Sequence, residues 1–295
     1  MTVANQGGLA VVTGAAGGLG ASFAHQLAER GYHLLLADRR PAQLEQVCSD
    51  IAAKYGVSVE PYPIDLCKRD EVERLAERLE QMEVALLVNN AGFGTVDYFA
   101  DTDVNYLVGQ ADVHIVAPTY FTRAVLPGML ERNSGHIINV SSLGGWFRAA
   151  GNVQYGCTKH YLATFSMSLH DELRGTNVHV QALCPGFVRT EFHGAETMKA
   201  YQLRGNPPAA HLWMTADEVV ACSLRKLGSK QVLVTPGFGY SIIAKLAQLP
   251  LLRPLFRWIT RVPRVIVPRQ APAASASPPA IEHRAEPVFS VVKRA

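Results

Sequence analysis

Along the first 240 positions, short unbroken apolar runs alternate with longer stretches in which apolar residues return every three or four positions. Leu9–Thr13, His33–Ala37, Val84–Val88 and Gln231–Val234 are of the first kind, short and rich in branched side chains, and read as strands, as does the more polar Val57–Ile64. The residues carrying Phe23 and Leu27, then Pro41–Tyr55, Lys68–Met82 and Asn152–Arg174, read as helices. In the last of these Tyr161, Leu162, Phe165, Leu169 and Leu173 fall on one helical stripe. Thr215 followed three positions later by Glu218 has the sequence of a capping box, so a further helix opens there. Apolar strands separated by helices predict an α/β chain built on a doubly wound parallel sheet with helices on both faces.

The first strand runs directly into Gly14-Ala15-Ala16-Gly17-Gly18-Leu19-Gly20 and then a helix. Glycines in such a turn let backbone amides approach a pyrophosphate at the positive end of the helix, although a plain helix-start turn would look the same. The spacing is GxxxGxG, not GxGxxG, and the absence of GxxxxGK[ST] argues against an ATP or GTP phosphate loop. The second strand ends in Asp38-Arg39-Arg40, roughly twenty residues after the glycines, where a carboxylate would reach a ribose hydroxyl and mark NAD. Arg39 pulls the other way, because a guanidinium matches the 2′-phosphate of NADP. The expectation is NAD(P)(H), tilted toward NAD.

With 295 residues, 48% hydrophobic and 18% charged, the chain has ample core for one large domain. Cys48, Cys67, Cys157, Cys184 and Cys222 show no CxxC spacing and read as reduced, buried thiols. No histidine pair has HExxH spacing, so no metal is expected. The N-terminus lacks a charged start followed by an apolar run, and the expected location is cytoplasmic. Charge is uneven: nine Lys and Arg against two Glu give +7 after residue 244, leaving about −4 before it. An acidic body and few aromatics among the tail cations exclude nucleic acid as the expected partner.

On the Asn152–Arg174 helix, Tyr155 and Lys159 stand at i and i+4 on one face, thirteen residues after Ser142. A phenol beside an ammonium is a tunable acid, because a neighbouring cation favours the phenolate. Taken alone, the pair reads as a solvated contact on a helix surface. The strand Val84–Val88 leads into Asn89-Asn90-Ala91-Gly92, and with it the chain from about residue 8 to 240 resembles the classical short-chain dehydrogenases/reductases. The resemblance is carried by Thr13-Gly14, Gly18 and Gly20, by Asp65-Leu66, by the NNAG run, by Ser142 with Tyr155 and Lys159, and by Pro185-Gly186-x-Val188-x-Thr190.

It implies a Rossmann fold and hydride transfer between a nicotinamide and a small-molecule carbonyl or secondary alcohol, in a homodimer or homotetramer. Tyr155 would be the general acid/base, Lys159 would hold the nicotinamide ribose and lower the tyrosine pKa, and Ser142 would bind the substrate oxygen. Gly14, Gly18, Leu19, Gly20, Asp38 and Arg39 would serve the pyrophosphate and adenosine ribose, and Asp65, Leu66, Asn90, Ala91 and Gly92 the rest of the adenosine side. Pro185, Gly186, Val188 and Thr190 would meet the nicotinamide. The chain departs from the family at one position. The register fixed by Thr122–Met129 puts His114 where the family carries Asn, and makes Asn105 a decoy. His114 is expected to preserve a backbone relay to the lysine or to add a group titrating near neutrality, against a plain packing role.

Residues 191–214 are expected to form the substrate lid, and Phe192, Met198, Tyr201, Leu203, Leu212, Trp213 and Met214 suit an apolar pocket. Residues 241–269 form a basic amphipathic extension. Covering the pocket or a subunit face is favoured for it over lying on a membrane surface. Residues 270–295, rich in Ala, Pro and Ser, are expected to be a disordered tail. The chain reads as an oxidoreductase of a hydrophobic substrate; the alternative is a catalytically idle dinucleotide-binding scaffold or redox sensor.

Overall fold

The computed structural model describes residues 7–94, 98–146, 151–190, 213–229 and 231–248. Most of the expected lid, at 191–212, and the chain beyond Gln248 lie outside the described residues. Seven parallel strands form the central sheet: β1 (Leu9–Thr13), β2 (His33–Asp38), β3 (Val59–Pro63), β4 (Val84–Asn89), β5 (Gly135–Val140), β6 (Val178–Leu183) and β9 (Leu233–Val234). Their order is β3-β2-β1-β4-β5-β6-β9, so the chain reverses direction across the sheet between β1 and β4. In such a sheet, ligands gather beyond the carboxyl ends of the strands at that point. β7 (Val188–Arg189) and β8 (Met214–Thr215) form a separate short ladder.

The inner strands β1, β2 and β4 are buried on both faces, and this explains their unbroken apolar runs. Val12 of β1, Leu34 and Leu36 of β2 and Val88 of β4 pack on α1 (Gly18–Ala28), α2 (Pro41–Tyr55) and α7 (Ala216–Arg225) through Phe23, Leu27, Leu44, Ile51 and Val219. The opposite set, Val11, Leu35 and Leu87, meets α3 (Arg69–Glu80), α5 (Ala117–Glu131) and α6 (Val153–Glu172) through Leu75, Leu79, Phe121 and Leu169. Local signals mark the helix ends. Pro41 opens α2, and Gly56 closes it in the left-handed region at φ 68°. Thr215 and Glu218 make the expected capping box on α7. α4 (Val104–Ala111) continues through a π-turn, Asp112–Val116, into α5.

The last described helix, α8 (Phe238–Gln248), spans the boundary expected at residue 240. Tyr240 and Ala244 are buried with Leu143, and Ile243, Trp146, Phe187 and Met214 close around them. Among the described residues, no helix is long and apolar enough to cross a membrane. The thiols are a correction: Cys48 and Cys184 are buried, but Cys67 and Cys157 are exposed. Polar residues at sheet positions there are forced to pair. Gln181 of β6 donates to the Ser223 carbonyl at 3.2 Å and accepts from the Ser223 hydroxyl.

His136 and His179 lie side by side on β5 and β6, their rings stacked at 5.4 Å. Burial, then repulsion from His179, pushes His136 down to about 4, and His179 is lowered by burial and by His170. The folded state therefore resists a proton that the unfolded chain accepts. The neutral pair gives its full stability above pH 6.5 and loses it progressively as the pH falls toward about 4. The melting temperature should drop between pH 7.5 and 5, and His136→Gln should remove a part of that drop worth about 1–3 kcal/mol, or ~2–4 °C per kcal/mol. Equal pH slopes for the two proteins by circular dichroism would show that this pair does not govern the acid limb.

Candidate active site

Two turns at the carboxyl end of the sheet are stitched together by Thr13 and Asn90. The Thr13 hydroxyl accepts the Asn90 and Ala91 amides at 3.0 and 3.1 Å, and the Asn90 side-chain amide donates to the Thr13 and Gly14 carbonyls at 2.8 and 3.2 Å. Backbone meets backbone here, so side chains are excluded. At Gly14, φ is +68° and a Cβ would sit 2.8 Å from Ala91 Cα; at Gly20 it would run into the Gly14 carbonyl. Gly18, at φ +55°, faces Thr190, whose Cβ would lie 3.4 Å from an added methyl. The glycine turn, the NNAG turn and the segment after β6 thus converge.

α1 opens in this cradle with no side chain capping it and no acid in its first turn. A pyrophosphate suits such a helix end, and the glycines leave room for it, so the residues fit a dinucleotide. Leu19 itself packs against the core. Asp38 is only 7% exposed. One carboxylate oxygen accepts the Ala16 amide at 3.0 Å; the other accepts the Arg40 amide at 3.0 Å and its Nε at 3.2 Å. The partner of Asp38 is therefore Arg40, which the sequence reading passed over, while Arg39 is exposed. Asp65 shapes the turn into α3: its carboxylate accepts the Cys67 amide at 3.0 Å and its own amide donates to Glu71 at 2.7 Å. The Leu66 side chain is buried in the core.

Across the cradle, Ser142 heads the short turn Leu143–Trp146, and Tyr155 and Lys159 occupy the first turns of α6. Ser142 Oγ accepts the Gly144 amide at 3.0 Å and is hydrogen-bonded to Tyr155. Burial raises the Tyr155 phenol above its ordinary 10, and the Ser142 contact offsets only part of this. Lys159 is 4% exposed; its ammonium donates to the Val140 carbonyl at 2.8 Å and lies 5.8 Å from the Tyr155 ring centre. Burial pushes Lys159 down to about 8. Any lowering of the tyrosine pKa by Lys159 works against burial: with the ammonium held by Val140, desolvation is the largest influence on Tyr155 and keeps the phenol above its ordinary value.

His114 is fully buried in the π-turn. Its Nε2 accepts the Phe93 amide at 3.1 Å, so the proton is on Nδ1, which donates to Thr158 Oγ1 at 2.8 Å. Thr158 in turn donates to the Tyr155 carbonyl at 3.0 Å. Burial first, and the Lys159 charge second, hold His114 well below 6.5, and this overturns the expectation of a group titrating near neutrality. Gly92 sits between these groups: a Cβ there would be 2.8 Å from His114 Nε2 and 3.2 Å from Lys159 Nζ. Asn105, exposed at the start of α4, is far from this network in role: its amide donates to the Asp103 cap at 2.7 Å.

The Leu143 amide donates to the Pro185 carbonyl at 2.9 Å, which ties the Ser142 turn to the segment after β6. A Cβ on Gly186 would enter the Tyr240 ring, and the Tyr240 hydroxyl accepts the Phe187 amide at 3.3 Å. Val188 is buried. Thr158 and Tyr240 were invisible in the sequence, the first because hydroxyls recur on any helix, the second because it arrives from more than fifty residues away. Among the described residues no three His, Cys, Asp or Glu side chains gather as metal ligands.

Comparison with known proteins agrees with this geometry. The short chain dehydrogenase profile matches residues 8–200. A very-long-chain 3-oxoacyl-CoA reductase of Anas platyrhynchos is 35% identical over 190 residues, which cover 63% of this chain and 61% of the reductase. An uncharacterized oxidoreductase of Myxococcus xanthus is 41% identical over 184 residues, covering 62% of this chain and 72% of its own. A short-chain dehydrogenase from Sphingobium yanoikuyae, solved in complex with NADPH, superposes with a TM-score of 0.74 at 24% identity, covering 88% of this chain and 98% of that one. The chain thus spans about three fifths of the length of the reductase it matches. With the matched profile covering well over half of its residues, the chain belongs to the short-chain dehydrogenase family.

Proposed function

We propose that the chain is an NAD(P)-dependent oxidoreductase that reduces the carbonyl group of a hydrophobic substrate, with NAD(H) preferred. The observation that carries this reading is the convergence of Ser142, Tyr155 and Lys159 on the edge of a glycine cradle, with Gly92 between His114 and Lys159. Gly14, Gly18 and Gly20 with the head of α1 would hold the pyrophosphate, and Thr190 beside Gly18 would meet the nicotinamide end. When bound, the nicotinamide supplies the hydride. Ser142 would donate to the substrate oxygen, and Tyr155, protonated at neutral pH, would deliver the proton that completes the alcohol. Lys159 would hold the ribose and keep a positive charge near the phenol as the proton leaves. His114, neutral in one tautomer, braces the Phe93 turn against the Tyr155 backbone and moves no proton itself.

A long apolar substrate accords with the Anas reductase, whose substrate is a very-long-chain 3-oxoacyl-CoA. It also accords with Phe187, Trp213, Met214 and Ile243 beside the Ser142 turn. Val104 and Val108 on α4 and Val153 on α6, two helices in contact, are exposed apolar side chains that support the homodimer or homotetramer that the family resemblance implies.

Tyr155→Phe should lower the reduction rate by about a hundredfold or more while cofactor binding persists, since the change removes a proton donor and little volume. Near-normal turnover by nicotinamide absorbance would remove Tyr155 from the chemistry and favour the idle scaffold. Reduction should also decline as the pH rises through about 8, where Lys159 loses its charge. A rate profile that stays level beyond pH 9 would separate Lys159 from the step.

Cofactor choice is tested by Asp38→Asn, which keeps an acceptor for the Ala16 amide but removes the charge that would repel a 2′-phosphate. Wild type should bind NADH better, and the variant should shift toward NADPH by about tenfold or more. A wild type that prefers NADPH in parallel titrations would show that exposed Arg39 outweighs Asp38.

A further inference from the structure

α8 has two unlike apolar faces. Tyr240 and Ala244 are fixed to the body at 7% and 5% exposure, so the helix cannot roll about its axis. The other face carries Phe238, Ile242 and Leu246 at i, i+4 and i+8, with exposures of 85%, 43% and 37%. A stripe of large apolar side chains held in solvent by a pinned helix marks a contact surface. The sequence around it shows what kind. From Val219 to Ile281 there is no acid, while nine cations occur: Arg225, Lys226, Lys230, Lys245, Arg253, Arg257, Arg261, Arg264 and Arg269. Those from Arg253 to Arg264 are interleaved with Leu255, Phe256, Trp258 and Ile259.

We propose that the Phe238-Ile242-Leu246 face of α8 docks on the surface of an anionic phospholipid bilayer, with the cations that follow it in sequence drawn to the headgroups. Apolar side chains and an acid-free run of Lys and Arg together match an interface that is apolar beneath and negative above. A second copy of the chain fits less well. An isologous contact through the stripe would bring two such cationic runs toward each other. This extends the role of the residues after Ile242, which were expected to serve the protein body. Tyr240, Ile243 and Ala244 do serve it, and the opposite side of the same helix is left for the bilayer.

The experiment uses the full chain with phosphatidylcholine vesicles, alone and mixed with phosphatidylglycerol, followed by co-sedimentation. Binding to the mixed vesicles should exceed binding to the neutral ones by tenfold or more and collapse at about 1 M salt, where screening is confined to about 3 Å. Phe238→Ser with Ile242→Ser and Leu246→Ser should cut binding by about tenfold or more with an unchanged melting temperature. Arg253→Gln with Arg257→Gln and Arg261→Gln should cut it by about a hundredfold, at roughly fivefold for each cation. Failure to bind mixed vesicles, or equal binding to both kinds, overturns the proposal. So does a serine variant that binds vesicles like wild type, or one whose only change is a lower mass in light scattering, which would give the stripe to a second copy.

Discussion

The Thr13 hydroxyl holds in register the two turns that follow β1 and β4, beyond the last paired residues of their ladder, Val12 and Val88. Parallel strands deliver all their carboxyl ends to one edge, and there the ladder stops, leaving amides without partners. Thr13 takes two of them, from Asn90 and Ala91, and Asn90 returns two hydrogen bonds to the carbonyls of Thr13 and Gly14. The approach is so close that Gly14 and Gly20 admit no Cβ. The glycines therefore have two causes at once. They permit the contact between turns, and they leave the head of α1 open to an anion.

The half of the site that holds Ser142, Tyr155 and Lys159 is organised by burial. Tyr155, Lys159 and His114 are all driven toward their neutral forms by desolvation, so at neutral pH the phenol keeps its proton, the imidazole is neutral with its one proton held by Thr158, and of the three Lys159, at about 8, remains charged. One cation among neutral donors is a compact arrangement for moving a single proton. A second titrating group at His114 would compete with it. The tautomer is fixed by hydrogen bonding: Phe93 occupies Nε2 and Thr158 occupies Nδ1. An Asn side chain pairs an amide donor with an oxygen acceptor, and neutral His114 likewise offers one N–H and one acceptor nitrogen, both used here.

Strands buried on both faces announce themselves, and Leu9–Thr13 and Val84–Val88 are legible from hydropathy to within a residue. β5 and β6 are not, because they carry His136, Asn139, His179 and Gln181; their polarity is answered across the structure by Ser166 and Ser223 rather than along the chain. The edge strands β3 and β9 are shorter than the stretches that read as strands, Val59–Pro63 within Val57–Ile64 and Leu233–Val234 within Gln231–Val234, since each pairs on one side alone. At the site, the spacing of Ser142, Tyr155 and Lys159 is visible because one turn and one helix supply it. The hold of Asp38 on Ala16 and Arg40, and of Val140 on Lys159, is not, because sequence places residues near each other without saying which hydrogen bond wins.

Tyr240 carries this argument to the end of the described chain. Its ring fills the space that Gly186 leaves, and its hydroxyl takes the Phe187 amide, so α8 is bonded to the same segment that is tied through Leu143 to the Ser142 turn. Whatever fixes the outer face of α8 therefore bears on the wall of the site through one aromatic ring. The wall of the site and an apolar outer stripe are then two demands on one helix, and α8 meets both because buried 240 and 244 with partly buried 243, and exposed 238, 242 and 246, fall on opposite sides of a 3.6-residue period.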